Sequence, residues 1–337
     1  MAMGGLDPKR TTAENYRVFG REARGRSPAY ETLAAAVAGD DLILEFLGTL
    51  PPPKRQPNLL FAAARYLGTP SDIGALRTLI RRDAAGLSRV MLARRTQTNE
   101  PARCATLLPA LAALPGPLAL IEVGASAGLT LLFDRYSYDY DGHQIAGCDP
   151  DAPTLRCAIS GPAPLPDRVP AIAWRAGLDL NPLDVTREDD VRWLSCLVWP
   201  GESGRQARLA AAIATARRDP PPVHRGDLLT DLPALAAQAP AEATLVIYHS
   251  AVLAYVEAED RERFARIVRG RATAWLSNEA PGVVPGLPFT AFRENTFVLG
   301  RDGRTPLAFA DGHGTWLHWL DGYGGPAPHP AARNRRP

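Results

Sequence analysis

The apolar run Leu118 to Leu129, reading LALIEVGASAGL, follows the breaker Leu114-Pro115-Gly116-Pro117 and divides the chain into two regimes. Upstream, from Thr11 to Leu114, apolar residues recur at helical spacing, as in Tyr30, Leu33 and Val37, then Leu42, Ile43, Phe46 and Leu47. Downstream, short apolar runs alternate with helical segments, the pattern of a mainly parallel sheet covered on both faces. This order predicts an α/β protein with an all-helical cap over residues 1–115, a sheet domain over 116–321 and a frayed Pro-, Gly- and Arg-rich tail over 322–337.

Within the sheet domain, Leu118 to Val123 reads as the first strand and Ala127 to Asp134 as the first helix. Tyr136, Tyr138 and Tyr140 at period two, a turn at Asp141-Gly142 and the apolar pair Ile145-Ala146 predict a hairpin insertion near 136–170. Strands are expected from Ala171 to Leu178, Val223 to Leu228, Thr244 to Tyr248 and Thr273 to Leu276. Helices are expected from Val191 to Val198, Gln206 to Arg217, Leu232 to Ala239 and Ala258 to Arg269. Thr296 to Leu299 and Leu307 to Ala310 flank the turn Asp302-Gly303 and close the sheet as an antiparallel hairpin.

Composition excludes several classes. A hydrophobic content of 46% supplies a substantial core, and 38 basic against 36 acidic residues leave a formal charge of +2, with the bases scattered. No basic stripe points to nucleic acid. Four cysteines, Cys104, Cys148, Cys157 and Cys196, form no C-x-x-C pair, which fits a reduced cytoplasmic protein. The first residues lack the apolar core of a signal peptide, and no apolar run approaches the roughly 20 residues of a membrane helix. The expected partner is a small-molecule substrate, with neither nucleic acid nor membrane; oligomeric state is not readable.

Gly124-Ala125-Ser126-Ala127-Gly128 supports two readings. It spells G-x-S-x-G, the nucleophile elbow of serine hydrolases, for which Ser126, Asp227 and His249 or His313 are candidates. That elbow needs preceding strands to supply an oxyanion hole, whereas everything upstream reads as helix. The second reading is a ligand-cradling turn: small residues let the backbone approach a ligand, and a following helix start attracts negative charge. Here Glu122 precedes the turn, Asp179 ends a later strand as a ribose acceptor beside Leu180, and Asp227 with Leu228 reaches the adenine amine. Three acids at successive strand ends would converge on one crevice.

This arrangement resembles the S-adenosylmethionine-dependent methyltransferases with a Rossmann-like sheet, whose first motif is an acid, a glycine and a small-residue turn. Over nearly its whole length the chain also resembles a bacterial family known as domain of unknown function 2332. That resemblance rests on Thr96-Gln97-Thr98-Asn99-Glu100, Glu122 to Leu129, Gly147-Cys148-Asp149-Pro150-Asp151, Leu178 to Asp184, His249 to Leu253 and Gly312 to Leu317. The methyltransferase resemblance implies S-adenosylmethionine held by Glu122, Gly124, Ala125, Ser126, Gly128, Asp179, Leu180, Asp227 and Leu228. Asp179 lies about 50 residues past Gly128 rather than roughly 20, so Asp149 competes with it for the ribose.

His249 and Glu279 end two later strands and are candidates for proton transfer, while Gln97, Asn99 and Glu100 are candidates for a substrate pocket at the domain junction. His313 and His318, flanking Trp316 and Trp319, read as edge packing rather than a metal site, and Arg175 as a surface residue. The functional expectation is methyl transfer to a small-molecule nucleophile. Hydrolysis through Ser126, or non-catalytic ligand binding on a Rossmann-like sheet, are the alternatives.

Overall fold

The computed structural model describes residues 10–288 and 296–321; the expected tail over 322–337 lies outside them. Six helices come first: α1 (Thr12–Ala23), α2 (Pro28–Val37), α3 (Asp41–Gly48), α4 (Pro57–Tyr66), α5 (Ile73–Ala93) and α6 (Arg103–Ala112). Their starts follow ordinary capping chemistry. Thr11 and Glu14 form a reciprocal capping box on α1, and Ser27, Asp40 and Asp72 each accept an amide of the first turn of α2, α3 and α5.

After the breaker come β1 (Leu118–Val123), β2 (Ser137–Tyr140), β3 (His143–Ile145), β4 (Thr154–Arg156), β5 (Ala158–Ser160) and β6 (Ile172–Asp179). There follow α7 (Glu188–Leu197), α8 (Ser203–Arg218), β7 (Val223–Arg225), α9 (Leu232–Ala236), β8 (Thr244–Ser250), α10 (Ala258–Arg269) and β9 (Ala274–Glu279). The described chain ends with β10 (Thr296–Arg301), β11 (Thr305–Asp311) and β12 (Trp316–Trp319).

Among the described residues the main sheet has nine strands in the order β5-β12-β11-β10-β9-β8-β1-β6-β7. From β7 through β9 neighbours are parallel; β9 to β12 then run antiparallel as a meander that contains the expected hairpin. Strand order reverses direction between β1 and β8, and a crevice opens beyond the carboxyl ends of strands at such a reversal. The insertion builds a separate three-stranded sheet, β3-β2-β4, and then sends β5 to the far edge of the main sheet, parallel to β12.

Alternation along the strands separates two cores. Leu118 and Leu120 of β1, Val246 and Tyr248 of β8 and Leu276 of β9 join the apolar faces of α1 to α8. Ile121, Val123, Ile247 and Trp275 face the other way, against α9 and α10. The amino-terminal helices thus share a continuous core with one sheet face, so cap and sheet pack as one body. Among the described residues no helix is long and apolar enough to cross a membrane.

One expected element is missing. The helix read from Ala127 to Asp134 is only a single 3-10 turn, Leu129–Leu131. Other groups claim the carbonyls that its ladder would need: Tyr136 donates to Leu129 O at 2.7 Å, Tyr248 to Thr130 O at 3.0 Å and Arg175 to Leu131 O at 2.9 Å. Leu129, Leu131, Leu132 and Phe133 are all buried, so this segment is core on every side rather than an amphipathic helix. Arg175 is correspondingly no surface residue; it holds Asp134 through two bonds of 2.8 and 2.7 Å.

Candidate active site at the strand ends

A cavity of about 440 Å³ opens beyond the carboxyl ends of β1, β6, β7 and β8, within the range of small-molecule pockets. Segments 53–59 and 94–99 of the helical part close its opposite wall. Of the residues singled out from the sequence, Gln97, Asn99, Glu122, Gly124, Ser126, Asp179, Leu180 and Leu228 line it together. Gly124 has φ +72°, and a Cβ there would come within 2.4 Å of Val252, so only glycine lets β1 and the loop after β8 meet.

The turn is held by side chains rather than by a helix. Asp179 Oδ2 accepts the Ser126 amide at 2.8 Å, its Oδ1 accepts Asn181 N and Gln97 Nε2 at 2.7 and 3.0 Å, and Asn99 accepts the Leu129 amide at 2.8 Å. The anion-attracting helix start expected after Gly128 is absent: Asn99 takes the Leu129 amide and the Gly128 carbonyl takes that of Leu131. Ser126 sits at φ +53°, and its hydroxyl donates to the Gln97 carbonyl at 3.0 Å. Among the described residues no histidine hydrogen-bonds to it.

Glu122 is a strongly perturbed carboxyl. It is 4% exposed; Thr130 donates to its Oε1, and its Oε2 has no partner. Burial pushes its carboxyl up to about 8, so it carries its proton at neutral pH.

Several expected residues stand elsewhere. Asp227 caps the turn after β7 by accepting Leu229 N and Thr230 N, while its neighbours Gly226 and Leu228 reach the cavity. Ala125 and Gly128 pack behind the turn, against Gly177 and against Pro221 and Val223. Asp149 pairs with Arg218 outside the cavity, leaving Asp179 as the acid at the end of the strand beside β1. Glu100 is buried in ion pairs with Arg205 and Arg208 at 2.7 and 2.8 Å rather than lining the cavity. Burial alone would raise its carboxyl, but the two guanidiniums outweigh that and hold it below the ordinary range.

His249 and Glu279 are also displaced from the proton-transfer role. His249 is fully buried; Trp275 donates to its Nε2 at 2.9 Å, which puts the proton on Nδ1, bonded to Glu279 Oε1 at 2.7 Å. The same Glu279 oxygen accepts the amides of Val252 and Leu253, so the pair anchors the loop after β8. Neither residue lines the cavity.

In their place the cavity wall carries Arg103, Arg205 and His313. Arg103 is 8% exposed and donates to the carbonyls of Gly312 and Ser250, each at 3.0 Å; burial lowers its guanidinium from its ordinary value. His313, expected as edge packing, instead accepts Arg26 Nη2 on Nδ1 at 3.0 Å. Burial, with Arg205, Arg26, Arg103 and Arg208 nearby, holds it neutral, well below its ordinary value. A signal existed: Arg103 is a lone charge in the otherwise uncharged stretch Pro101 to Leu114, three residues after Glu100. His318 stays at the sheet edge, bonded to Ser160 at 2.8 Å.

No curated protein and no solved structure matches the chain. The profile of one bacterial family, described as "Uncharacterized protein conserved in bacteria (DUF2332)", matches over residues 13–79 and 68–319. Those two stretches take in both the helical part and the sheet, and the chain belongs to that family.

Proposed function

We propose that the protein is an S-adenosylmethionine-dependent methyltransferase acting on a small-molecule nucleophile, on a Rossmann-like sheet. The observation that carries this reading is the cavity at the β1/β8 reversal, where Glu122, Gly124, Asp179, Leu180 and Leu228 meet. Parallel strands in the order β7-β6-β1-β8-β9 put an acid at the end of the strand next to β1, where a ribose is gripped in such sheets. Leu180 and Tyr255 on the cavity wall are 52% and 53% exposed, apolar surface that a flat base would cover. At neutral pH the protonated Glu122 is left with a buried Oε2 that has no partner, a polar group that a bound ligand would satisfy.

Asp179 already accepts three protein donors, and an ionised carboxylate offers about four acceptor sites. Ribose therefore takes the remaining site and displaces the Gln97 amide, the only side-chain donor of the three. The bound cofactor would supply an activated methyl on a cationic sulfur; the chain's part is to orient it, exclude water and position the acceptor.

Calorimetric titration with S-adenosylmethionine and S-adenosylhomocysteine tests the reading. Binding is expected for both, and Asp179→Ala should weaken it roughly ten- to hundredfold, about the worth of one hydrogen bond to a charged group. No heat with either compound ends the proposal. A fluorophosphonate probe is expected to leave Ser126 unlabelled, since its hydroxyl is tied to a backbone carbonyl; stoichiometric labelling would replace methyl transfer by hydrolysis.

A further inference from the structure

We propose that Arg103, Arg205 and His313 form a carboxylate-binding subsite at the end of the cavity away from Asp179, and that the group it holds belongs to the methyl acceptor. The assignment to an acceptor rests on the methyl-transfer reading; the subsite itself does not.

Arg26 bonds His313, Arg103 and Arg205 share the cavity wall with it, and Arg208 pairs with Glu100 beside Arg205. Among the described residues, Arg205 and Arg208 share Glu100, and Arg26 and Arg205 share Glu202. Arg103 hydrogen-bonds no carboxylate among the described residues; Glu100, Glu279 and Glu122 act on it only at longer range. A buried cation held by two carbonyls and facing a cavity is a site for an anion, since buried charges are otherwise paired.

The available donors fit a carboxylate. Arg103 uses Nε and Nη1 on Gly312 and Ser250, and Arg205 uses Nε and Nη1 on Glu100 and Glu202, so each keeps its Nη2. His313 accepts on Nδ1, which places its proton on Nε2 as a third, neutral donor. Each arginine has spent two of its five N–H groups, so the remaining ones, with the His313 N–H, can serve both oxygens of a carboxylate.

Position separates this corner from the adenosyl end. Arg103 is fastened to the end of β8 and to the turn between β11 and β12, whereas Asp179, Leu180, Gly226 and Leu228 belong to β6 and β7, across β1. A ligand spanning the crevice would meet one set at each end.

The test follows thermal unfolding of the full chain, without any adenosyl compound, in sodium benzoate, sodium phosphate and sodium chloride at equal ionic strength. A saturable rise in Tm with benzoate over chloride is expected. Arg103→Met should abolish the rise, and His313→Leu should weaken benzoate affinity roughly three- to tenfold, serving as the readout if the arginine variant does not fold. The subsite is overturned if benzoate has no effect beyond chloride, if the effect survives in the variants, or if phosphate alone acts. Repeating the titration with S-adenosylhomocysteine, which carries a carboxylate, and with methylthioadenosine, which does not, identifies the source. Unchanged benzoate affinity supports an acceptor; competition by the first compound only overturns that assignment and gives the corner to the cofactor.

Discussion

Replacing Glu122 by glutamine is expected to stabilise the protein, increasingly so as pH rises. The folded carboxyl holds its proton up to about pH 8, while the unfolded one releases it near its ordinary value of 4.5. Between those two values the folded chain binds more protons than the unfolded chain, so stability falls as pH rises; below 4.5 and above about 8 this group adds no slope. The full difference amounts to roughly 5 kcal/mol. Glutamine keeps the Thr130 hydroxyl bonded to Oε1 and cannot ionise. Urea unfolding at pH 5, 7 and 9 should give similar stabilities for the two proteins at the first pH and a growing advantage for Glu122→Gln at the others. An identical pH slope in both would show that Glu122 is ionised at neutral pH.

Glu100→Gln should act in the opposite direction, lowering stability by about 3–5 kcal/mol, the usual result of removing one partner from a buried ion pair. Arg205 is 9% exposed at its side chain and would lose the acceptor of its Nε–H, and Arg208 would face a neutral amide. Because the arginines hold Glu100 below its ordinary range, its contribution is present above pH 4.5 and is lost as pH falls through its folded value. The variant should therefore show a flatter acid limb in urea midpoints measured from pH 3 to 7. Adding Arg208→Met to it should recover part of the loss, since the stranded cation is then removed. A variant as stable as the parent at pH 7 would mean that the arginines find other acceptors.

The larger elements were legible because they obey simple periods. Leu118 to Val123, Thr244 to Ser250 and the charged α10 carry patterns that tertiary packing only completes. The convergence of Glu122, Gly124 and Asp179 was also legible, from acids at strand ends. What sequence could not show was which polar groups the fold consumes internally. Asp227, Glu100, His249 and Glu279 read as site residues because their types suit chemistry, yet each is spent on a cap or an ion pair. Those partners, Thr230, Arg208 and Trp275, lie 3, 108 and 26 positions away. The false helix after Gly128 failed for a related reason: its carbonyls were taken by tyrosines and an arginine that no local pattern names.

The pairing of β5 with β12 bears on how the chain reaches this state. Ala158–Ser160 emerges from the ribosome more than 150 positions before Trp316–Trp319, the strand it must lie beside. Its amides stay without that neighbour until those later residues have been made, so this border of the sheet closes only once both stretches exist. The amino-terminal helices share one apolar core with Leu299, Leu317 and Trp319, so that core likewise waits for the later strands. A nascent chain of this kind keeps that apolar surface open until the later strands have been made, an interval in which association with other chains competes with folding.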